Sequence, residues 1–189
     1  MEKLFRNPGN QSVTVESKKT RHKKQILKAL YFGNAMPNSN LSKILDLSTP
    51  KINSLLQELI EEGLVEDLGR GDSSGGRRPN LYGLVSGGFY VTGISISVNQ
   101  TVISVFNSKN EEVSGLHYFP IKIPPDISVF RMVKTELERV IAQSKIPENK
   151  ILVTGIELPG LINLKKGTNK SYFPEEDNLF EKLQEIFGT

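Results

Sequence analysis

The chain has 189 residues, of which 37% are hydrophobic and 24% are charged, and it carries a formal net charge of +3. This composition is typical of a folded protein of one large or two small domains. The absence of cysteine excludes disulfides, thiolate catalysis and cysteine-based zinc sites, and no run approaches the ~20 apolar residues that a membrane span needs.

Basic residues are concentrated near the N-terminus. Residues 1–85 hold 13 Lys and Arg against 9 Asp and Glu, whereas residues 86–189 hold 11 against 12. Residues 1–9 lack the apolar core of an export signal, so we expect a cytoplasmic protein, and we predict a flexible basic arm over residues 1–19. Six basic residues could lie along a nucleic-acid backbone, although a solvated basic surface is commoner for such runs. These are Lys18, Lys19, Arg21, Lys23, Lys24 and Lys28.

The arm leads into three predicted helices. The first covers residues 23–32, and its apolar face consists of Ile26, Leu27, Leu30 and Tyr31. The second is capped by Ser39 or Asn40 and carries Leu41, Ile44 and Leu45. A tight turn at residues 46–48 joins it to the third. Two helices joined by a turn of this length form a helix-turn-helix unit, which the first helix can cover.

The third helix is predicted from an apolar stripe of five residues at helical spacing: Ile52, Leu55, Leu56, Leu59 and Ile60. Pro50 suits its first turn, because a proline there loses no intrahelical hydrogen bond. Thr49 is the expected N-cap, and Gly63 is expected to end the helix.

The opposite face of the third helix is polar, and its two halves differ. The N-terminal half carries groups suited to base edges, Lys51, Asn53, Ser54 and Gln57, and the C-terminal half carries Glu58, Glu61 and Glu62. Because phosphates repel carboxylates, this polarity favours a helix that enters a DNA major groove with its N-terminus first. Lysine would suit guanine, and Asn or Gln would suit adenine. The alternative is an ordinary amphipathic helix with a solvated face.

A hairpin with a long tip follows the helices. Residues 64–68 and 81–85 are predicted strands, separated by Gly69, Gly71, Gly75 and Gly76. Arginines on the tip, Arg70, Arg77 and Arg78, could reach phosphates or the minor groove. A glycine-rich nucleotide cradle is the rival interpretation, but it requires a helix directly after the glycines, and Pro79 and a strand follow here. Three helices and a hairpin predict a winged helix-turn-helix domain over residues 20–85.

A linker at residues 86–88 precedes an α/β pattern over residues 89–189. Residues 89–98, 101–106 and 112–123 are predicted as an antiparallel meander. A helix begins at Asp126, a nearly unbroken apolar strand covers residues 151–158, and a last helix covers residues 178–187. We expect the apolar strand to be buried in a sheet covered on both faces. This order matches the opening half of an actin-like or ribonuclease-H-like domain, so we expect a fragment of a longer protein, or a partner that completes the sheet.

Four stretches of the sequence resemble the ROK group of repressors, open reading frames and kinases, specifically its transcription factors of the xylose and N-acetylglucosamine repressor type. The stretches are residues 47–56 with 62–65, 74–79, 93–97 and 155–163, in the family's order and spacing. The Ser-Gly-Gly-Arg-Arg-Pro wing at residues 74–79 is the most specific, followed by Gly-Ile-x-x-Pro-Gly at residues 155–160. The resemblance implies a winged helix-turn-helix followed by the first half of an actin-like, sugar-kinase-type domain.

The resemblance to the kinases of the group fails at their nucleotide site. Those kinases have Asp-Ile-Gly-Gly-Thr at the first hairpin, where this chain has Ser95, Ile96, Ser97, Val98 and Asn99. Loss of the carboxylate removes a metal anchor, and the larger side chains crowd the backbone against a phosphate. The family's catalytic aspartate, Glu-x-Gly-His motif and cysteine-rich zinc loop would fall beyond Thr189. We therefore expect no enzymatic activity, no cofactor and no metal site.

The leading interpretation is a sequence-specific DNA-binding regulator, a repressor of a sugar-utilisation operon that a carbohydrate ligand relieves. The resemblance implies a double-stranded DNA operator, a small sugar or sugar-phosphate effector, and a homodimer or higher homo-oligomer as partners; paired half-sites would fit a dimer. Two alternatives stay open: a carbohydrate kinase with a DNA-binding appendage, and a winged-helix module for protein contacts. The candidate DNA-binding residues are Lys23, Lys24, Ser42, Lys43, Thr49, Lys51, Asn53, Ser54, Gln57, Arg70, Arg77 and Arg78.

Overall fold

The computed structural model describes residues 15–71, 79–122 and 126–188, with side chains from residue 18 onward. These residues form two compact units. Unit 1 extends to Phe89 and includes Ser108–Asn110, and unit 2 comprises Tyr90–Asn107 and the residues from Glu111 onward. Among the described residues, no helix is both long enough and apolar enough to cross a membrane.

Unit 1 contains three helices and a small antiparallel sheet. Its elements are α1 (Val15–Gly33), β1 (Met36–Pro37), α2 (Asn38–Leu45), α3 (Thr49–Glu61), β2 (Val65–Arg70) and β3 (Asn80–Leu84). The sheet has the order β1-β3-β2, with Val65 opposite Leu84 at the open end of the hairpin and Arg70 opposite Asn80 next to its loop. The predicted winged helix-turn-helix order is therefore confirmed, with β1 as an additional strand that the sequence did not indicate.

The core of unit 1 lies between the three helices. Ile26, Leu41, Leu55 and Leu59 are fully buried there, and each such side chain contributes about 1.5–3 kcal/mol by leaving water. The predicted stripe of α3 is confirmed for its first four residues, while Ile60 is half-buried. The predicted faces of the other helices are too wide, since two of their residues lie exposed, namely Tyr31 and Ile44. The two-turn helix α2 buries Leu41 alone, which leaves Ile44 in solvent.

The helix boundaries differ from the prediction at three N-termini. Helix α1 begins at Val15, so residues 15–19 are helical rather than part of a loose arm, and residues 1–14 lie outside the described residues. Helix α2 begins at Asn38 after Pro37, and α3 is preceded by an extended Ser48, which makes Thr49 a helical residue rather than the cap.

Gly63 ends α3 as predicted. It adopts a φ of +70°, a conformation that favours glycine, and its N–H donates to the carbonyl of Ile60 at 2.9 Å. The next N–H, that of Leu64, donates to the carbonyl of Leu59 at 2.9 Å. These bonds satisfy two carbonyls at the helix end and direct the chain into β2.

Unit 2 is an α/β structure. Its elements are β4 (Tyr90–Ile96), β5 (Gln100–Asn107), β6 (His117–Pro120), α4 (Ser128–Gln143), a 3₁₀ turn (Glu148–Lys150), β7 (Ile151–Glu157), β8 (Ile162–Asn163), β9 (Thr168–Asn169) and α5 (Leu179–Phe187). The main sheet has the order β6-β5-β4-β7. Strands β4 to β6 form the predicted antiparallel meander, and β7 lies parallel to β4. The third strand is shorter than predicted, because only residues 117–120 pair continuously with β5.

The core of unit 2 joins α4 to the sheet. Phe130 and Phe173 are fully buried with ring centroids 5.0 Å apart, and the buried face of β4 includes Ile94 and Ile96. The prediction that residues 151–158 are buried on both faces is wrong. Strand β7 alternates half-buried and exposed residues, and Val153 is 50% exposed. The reason is that β7 is an edge strand whose described sheet partner is β4 alone.

Candidate nucleic-acid interface

Helix α3 presents a continuous polar ridge on the side opposite its buried stripe. The ridge consists of five exposed residues, Thr49, Lys51, Asn53, Ser54 and Gln57. It occupies the N-terminal part of the helix, where unpaired backbone N–H groups and the helix dipole create a positive potential. The structure thus places five of the twelve predicted contact residues on one exposed helix face.

Two amide side chains of the ridge have fixed orientations. The Nδ2 of Asn38, at the start of α2, donates to the Oδ1 of Asn53 at 2.8 Å. One turn further along α3, the Nε2 of Gln57 donates to the Oε1 of Glu61 at 3.1 Å. The amide of Asn53 therefore has its nitrogen available, whereas the amide of Gln57 has its oxygen available.

Lys23 does not belong to this surface, which corrects the prediction that it contacts DNA. Its side chain is buried, and its Nζ lies 2.7 Å from Glu58 Oε2 and 2.6 Å from Glu62 Oε1. Lys19 adds a second contact to Glu58 at 2.9 Å. We call Lys19, Lys23, Glu58 and Glu62 the α1–α3 ion cluster. It joins α1 to the C-terminal half of α3, so Lys23 has no free ammonium group for a phosphate.

The ion cluster shifts the pKa values of two of its members, Lys23 and Glu58. Burial alone lowers the pKa of Lys23, but hydrogen bonds and charge interactions with Glu58 and Glu62 outweigh burial and raise the pKa above its usual value. Hydrogen bonds from Lys23 and Lys19 hold the pKa of the Glu58 carboxyl below its usual value. Both shifts favour the ionised forms of Lys23 and Glu58.

His22 is a residue of this region that the sequence did not single out. Its Nδ1 is buried and has no hydrogen-bond partner among the described residues. Burial, followed by the charges of Arg21, Lys51 and Lys18, lowers the pKa of the imidazole. The interaction with Lys51 shows that α1 brings His22 close to the polar ridge, which no feature of the local sequence indicates.

The remaining predicted contact residues lie on other elements of unit 1. Lys43 and Arg70 are exposed, on α2 and at the end of β2, while Lys24 is half-buried on α1. The hydroxyl of Ser42 donates to the carbonyl of Leu47 and so holds the turn before α3. The wing arginines Arg77 and Arg78 lie outside the described residues.

The base of the wing is held by a side-chain hydrogen-bond network. Asp67 accepts from the backbone N–H of Gly69 at 2.8 Å and from Asn80 Nδ2 at 2.9 Å. The first bond lies within β2, and the second links β2 to β3 just before the tip. Arg70 therefore emerges from a fixed part of the hairpin.

In unit 2, the position of the kinase aspartate holds a different polar pair. Ser95, near the C-terminal end of β4, donates through Oγ to Glu157 Oε2 on β7 at 2.7 Å. The two residues are Cα partners in the parallel register. Among the residues that the structure describes, no group of three or more His, Cys, Asp or Glu side chains is arranged to hold a metal ion.

The comparisons with known proteins agree with this architecture. Residues 19–66 match the family described as winged helix-turn-helix DNA-binding. The chain is 30% identical over 144 residues to the xylose repressor of Caldicellulosiruptor bescii, an alignment covering 76% of this chain and 36% of that protein. It is 25% identical over 142 residues to the xylose repressor of Bacillus spizizenii, covering 75% of this chain and 37% of that protein. The chain thus spans about a third of the length of these relatives.

A solved structure shares the fold over nearly the whole chain. The crystal structure of a ROK family transcriptional regulator, a homolog of the E. coli MLC protein, superposes with a TM-score of 0.58. The match covers 90% of this chain and 44% of that chain, at 18% sequence identity. At this identity the likeness establishes the fold, a winged helix followed by an α/β unit.

Proposed function

We propose that this chain is a ROK-type transcriptional regulator that binds operator DNA and represses transcription until a carbohydrate effector binds. Residues 20–85 are the DNA-binding domain, residues 86–88 a linker, and residues 89–189 part of the sensor domain. The observation that carries the proposal is the polar ridge of α3. It lies exposed at the N-terminal end of the second helix of a helix-turn-helix, the part that reads bases in such proteins.

The ridge provides the base contacts in this proposal. Lys51, Asn53 and Ser54 have donors and acceptors that match base edges in the major groove, and Thr49 and Gln57 flank them. The ion cluster supports this orientation of the helix. Because Glu58 and Glu62 are neutralised by α1, the C-terminal half of α3 serves for packing while the N-terminal half remains available for DNA.

Phosphate contacts come from other elements of unit 1 in this proposal. Arg70 on the wing and Lys43 on α2 are exposed cations suited to this role, and Lys24, Ser42, Arg77 and Arg78 are further candidates. Such contacts fix the position of the protein on the duplex but carry no direct base information. Their energetic signature is a steep loss of affinity with salt, because each neutralised phosphate releases counterions.

The sensor step rests on the relatives. Two relatives are named xylose repressors, and we propose by analogy that a small sugar or sugar phosphate binds the α/β domain of the complete protein. The ligand can release the operator only if it binds the DNA-free arrangement of the protein better than the DNA-bound one. We propose that the protein acts in the cytoplasm as a homodimer on paired half-sites. We do not propose phosphoryl transfer, since Ser95 stands where the kinases of the group have an aspartate.

The proposal is tested by duplex binding at increasing salt. A preferred duplex is first selected from a random pool with the full chain, and its affinity is then measured between low and physiological salt. We expect a steep, log-linear decline. Affinity that does not depend on salt would favour a winged helix used for protein contacts, and sugar-dependent ATP hydrolysis would favour the kinase alternative.

Substitutions separate the two kinds of contact. Arg70→Ala should weaken binding to all duplexes about equally and reduce the salt slope by about one, whereas Asn53→Ala should relax preference at one base position. Arg131→Ala is the matched control, because Arg131 is an exposed arginine on α4 of unit 2. An equal loss of affinity in Arg131→Ala would contradict the assignment of the interface to unit 1.

A further inference from the structure

The hydrogen bond between Asn38 and Asn53 joins the two helices of the helix-turn-helix. Asn38 is the first residue of α2, and Asn53 lies on the polar ridge of α3. The Nδ2 of Asn38 donates to the Oδ1 of Asn53 at 2.8 Å, and the bond is exposed to solvent. Neither residue contributes to the core, so the bond is at the surface that the proposed function assigns to DNA.

Asn38 is held in place by the elements around it. It directly follows β1, whose residues Met36 and Pro37 pair with Tyr82 and Leu81 of β3. Met36 is buried. A side chain at the junction of a paired strand and a helix start has a fixed backbone, so Asn38 approaches Asn53 from a defined direction.

The direction of this bond decides which part of the Asn53 amide faces outward. A primary amide has one oxygen that accepts hydrogen bonds and one nitrogen that donates two. Asn38 engages one lone pair of the Asn53 oxygen and holds that oxygen toward α2, which leaves the NH₂ group as the outward-facing donor. In the major groove, guanine presents two acceptors, O6 and N7, adenine presents one, N7, and thymine presents one, O4, whereas cytosine presents only a donor, N4. The bidentate contact of asparagine with adenine needs both the oxygen and the nitrogen of the amide.

We propose that Asn38 is a positioning residue that sets base preference through Asn53. By engaging the Asn53 oxygen, it directs the NH₂ group toward the groove, and Asn53 therefore favours a base that presents an acceptor, namely guanine, adenine or thymine, over cytosine. This inference rests on the proposed function and replaces the expected two-bond contact of Asn53 with adenine by a single donor contact from its NH₂ group. Asn38 itself contacts no base; it determines which hydrogen-bonding group its neighbour offers.

The test reverses the direction of the bond. In Asn38→Asp the ionised side chain only accepts hydrogen bonds, so Asn53 must turn its NH₂ toward residue 38 and its oxygen toward the groove. Asn38→Ala removes the bond. Asn40→Asp is the matched control, because Asn40 is exposed on the same helix and its substitution adds the same negative charge.

The measurement uses four duplexes that carry the selected site and differ at one base pair, the position where Asn53→Ala loses preference. Wild type should prefer guanine over cytosine there by about tenfold or more. Asn38→Asp should prefer a base with a donor, cytosine or adenine, with other positions unchanged. Asn38→Ala should discriminate poorly, and Asn40→Asp should weaken all duplexes while keeping the wild-type order.

The outcomes distinguish this inference from the proposed function. If Asn38→Asp keeps the wild-type order of bases while binding stays salt-dependent, the role of Asn38 is wrong and DNA binding stands. If Asn40→Asp changes the order as Asn38→Asp does, added charge explains the effect and the inference is also wrong. If wild type binds no duplex in a salt-dependent manner, both the proposed function and the inference fail.

Discussion

Replacing Lys23 with methionine tests whether this lysine holds α3 against α1 or contacts DNA. Lys23 is 6% exposed and bridges Glu58 and Glu62, whose side chains are 28% and 40% exposed. Methionine keeps the unbranched stem, so the substitution removes mainly the charge. Exposed ion pairs contribute about 0–1 kcal/mol, while breaking a buried pair costs about 3–5 kcal/mol. Because water still reaches both carboxylates, we expect an intermediate loss of about 1–3 kcal/mol in the free energy of unfolding of unit 1.

The assay must separate unit 1 from unit 2, because a chain of two units does not unfold as a single two-state system. Amide hydrogen exchange in the full chain, read over α1 and α3, reports the local free energy of opening. Lys28→Met is the matched control, since Lys28 lies exposed on the same helix, and it should change protection by less than about 0.5 kcal/mol.

The pH dependence of the loss follows from the two pKa shifts. The pKa of Glu58 is lowered by hydrogen bonds from Lys23 and Lys19, so its contribution to stability is present above its unfolded value of about 4.3 and is lost as pH falls through the folded value. The net pKa of Lys23 is raised, so its contribution is present below about 10.4 and is lost above the raised value. The difference between wild type and Lys23→Met should therefore be largest between about pH 5 and pH 10 and shrink below it.

DNA binding provides the refuting result. If Lys23 contacted a phosphate, Lys23→Met would leave protection unchanged and would reduce the salt slope by about one. That combination would show that the buried cluster does not exist in solution. Loss of protection with an unchanged salt slope would support the cluster, because the slope counts only neutralised phosphates.

Three further predictions concern residues of each unit. Wild type should lose stability below about pH 6.5, because burial and neighbouring cations lower the pKa of His22 in the folded state and the unfolded state therefore binds the proton first. His22→Gln should remove this loss. If the urea midpoint shifts equally in both proteins between about pH 7.5 and pH 5, this prediction is wrong. Gly160→Ala should lower the free energy of opening of the β8–β9 hairpin, measured by hydrogen exchange, by about 1–3 kcal/mol, because Gly160 has a φ of +90° and a Cβ would lie 2.7 Å from Ser171 Cβ. Gly115→Ala, at a φ of +78° in open space, should have a smaller effect. The reverse order would refute the steric argument. Phe130→Ala should cost about 3–5 kcal/mol in unit 2 by thermal or urea unfolding, and a loss below about 1 kcal/mol would mean that its ring is not buried.

The sequence predicted best where a local period determines burial. The stripe of α3 was recognisable because Ile52, Leu55, Leu56 and Leu59 recur at helical spacing, and all four are buried in the structure. Prediction failed for residues 151–158, because an apolar run indicates a strand but not its place in a sheet. At the edge of the sheet the same residues are only partly covered, and Val153 is 50% exposed.

The sequence could not separate binding lysines from structural ones. Lys23 and Lys43 are the same residue type within one basic half of the chain, yet one is buried in an ion cluster and the other is exposed. What distinguishes them is a carboxylate 39 residues away, Glu62, which only the tertiary fold brings to Lys23. A run of basic residues therefore predicts that a surface has a positive electrostatic potential, but it does not predict which of the side chains are already engaged in ion pairs.

The same reasoning applies to the base recognition that we propose for α3. The residue types on its ridge can be read from the sequence, but the orientation of Asn53 depends on Asn38 in the preceding helix. The position of the ridge depends in turn on Lys23, which fixes the other end of α3 against α1. Hydrogen-bond readout tolerates errors of only a few tenths of an ångström to about half an ångström. In the proposed interface, base preference therefore depends on Lys23 and Asn38, which position α3 and the Asn53 amide, as well as on the side chains of α3 that contact the bases.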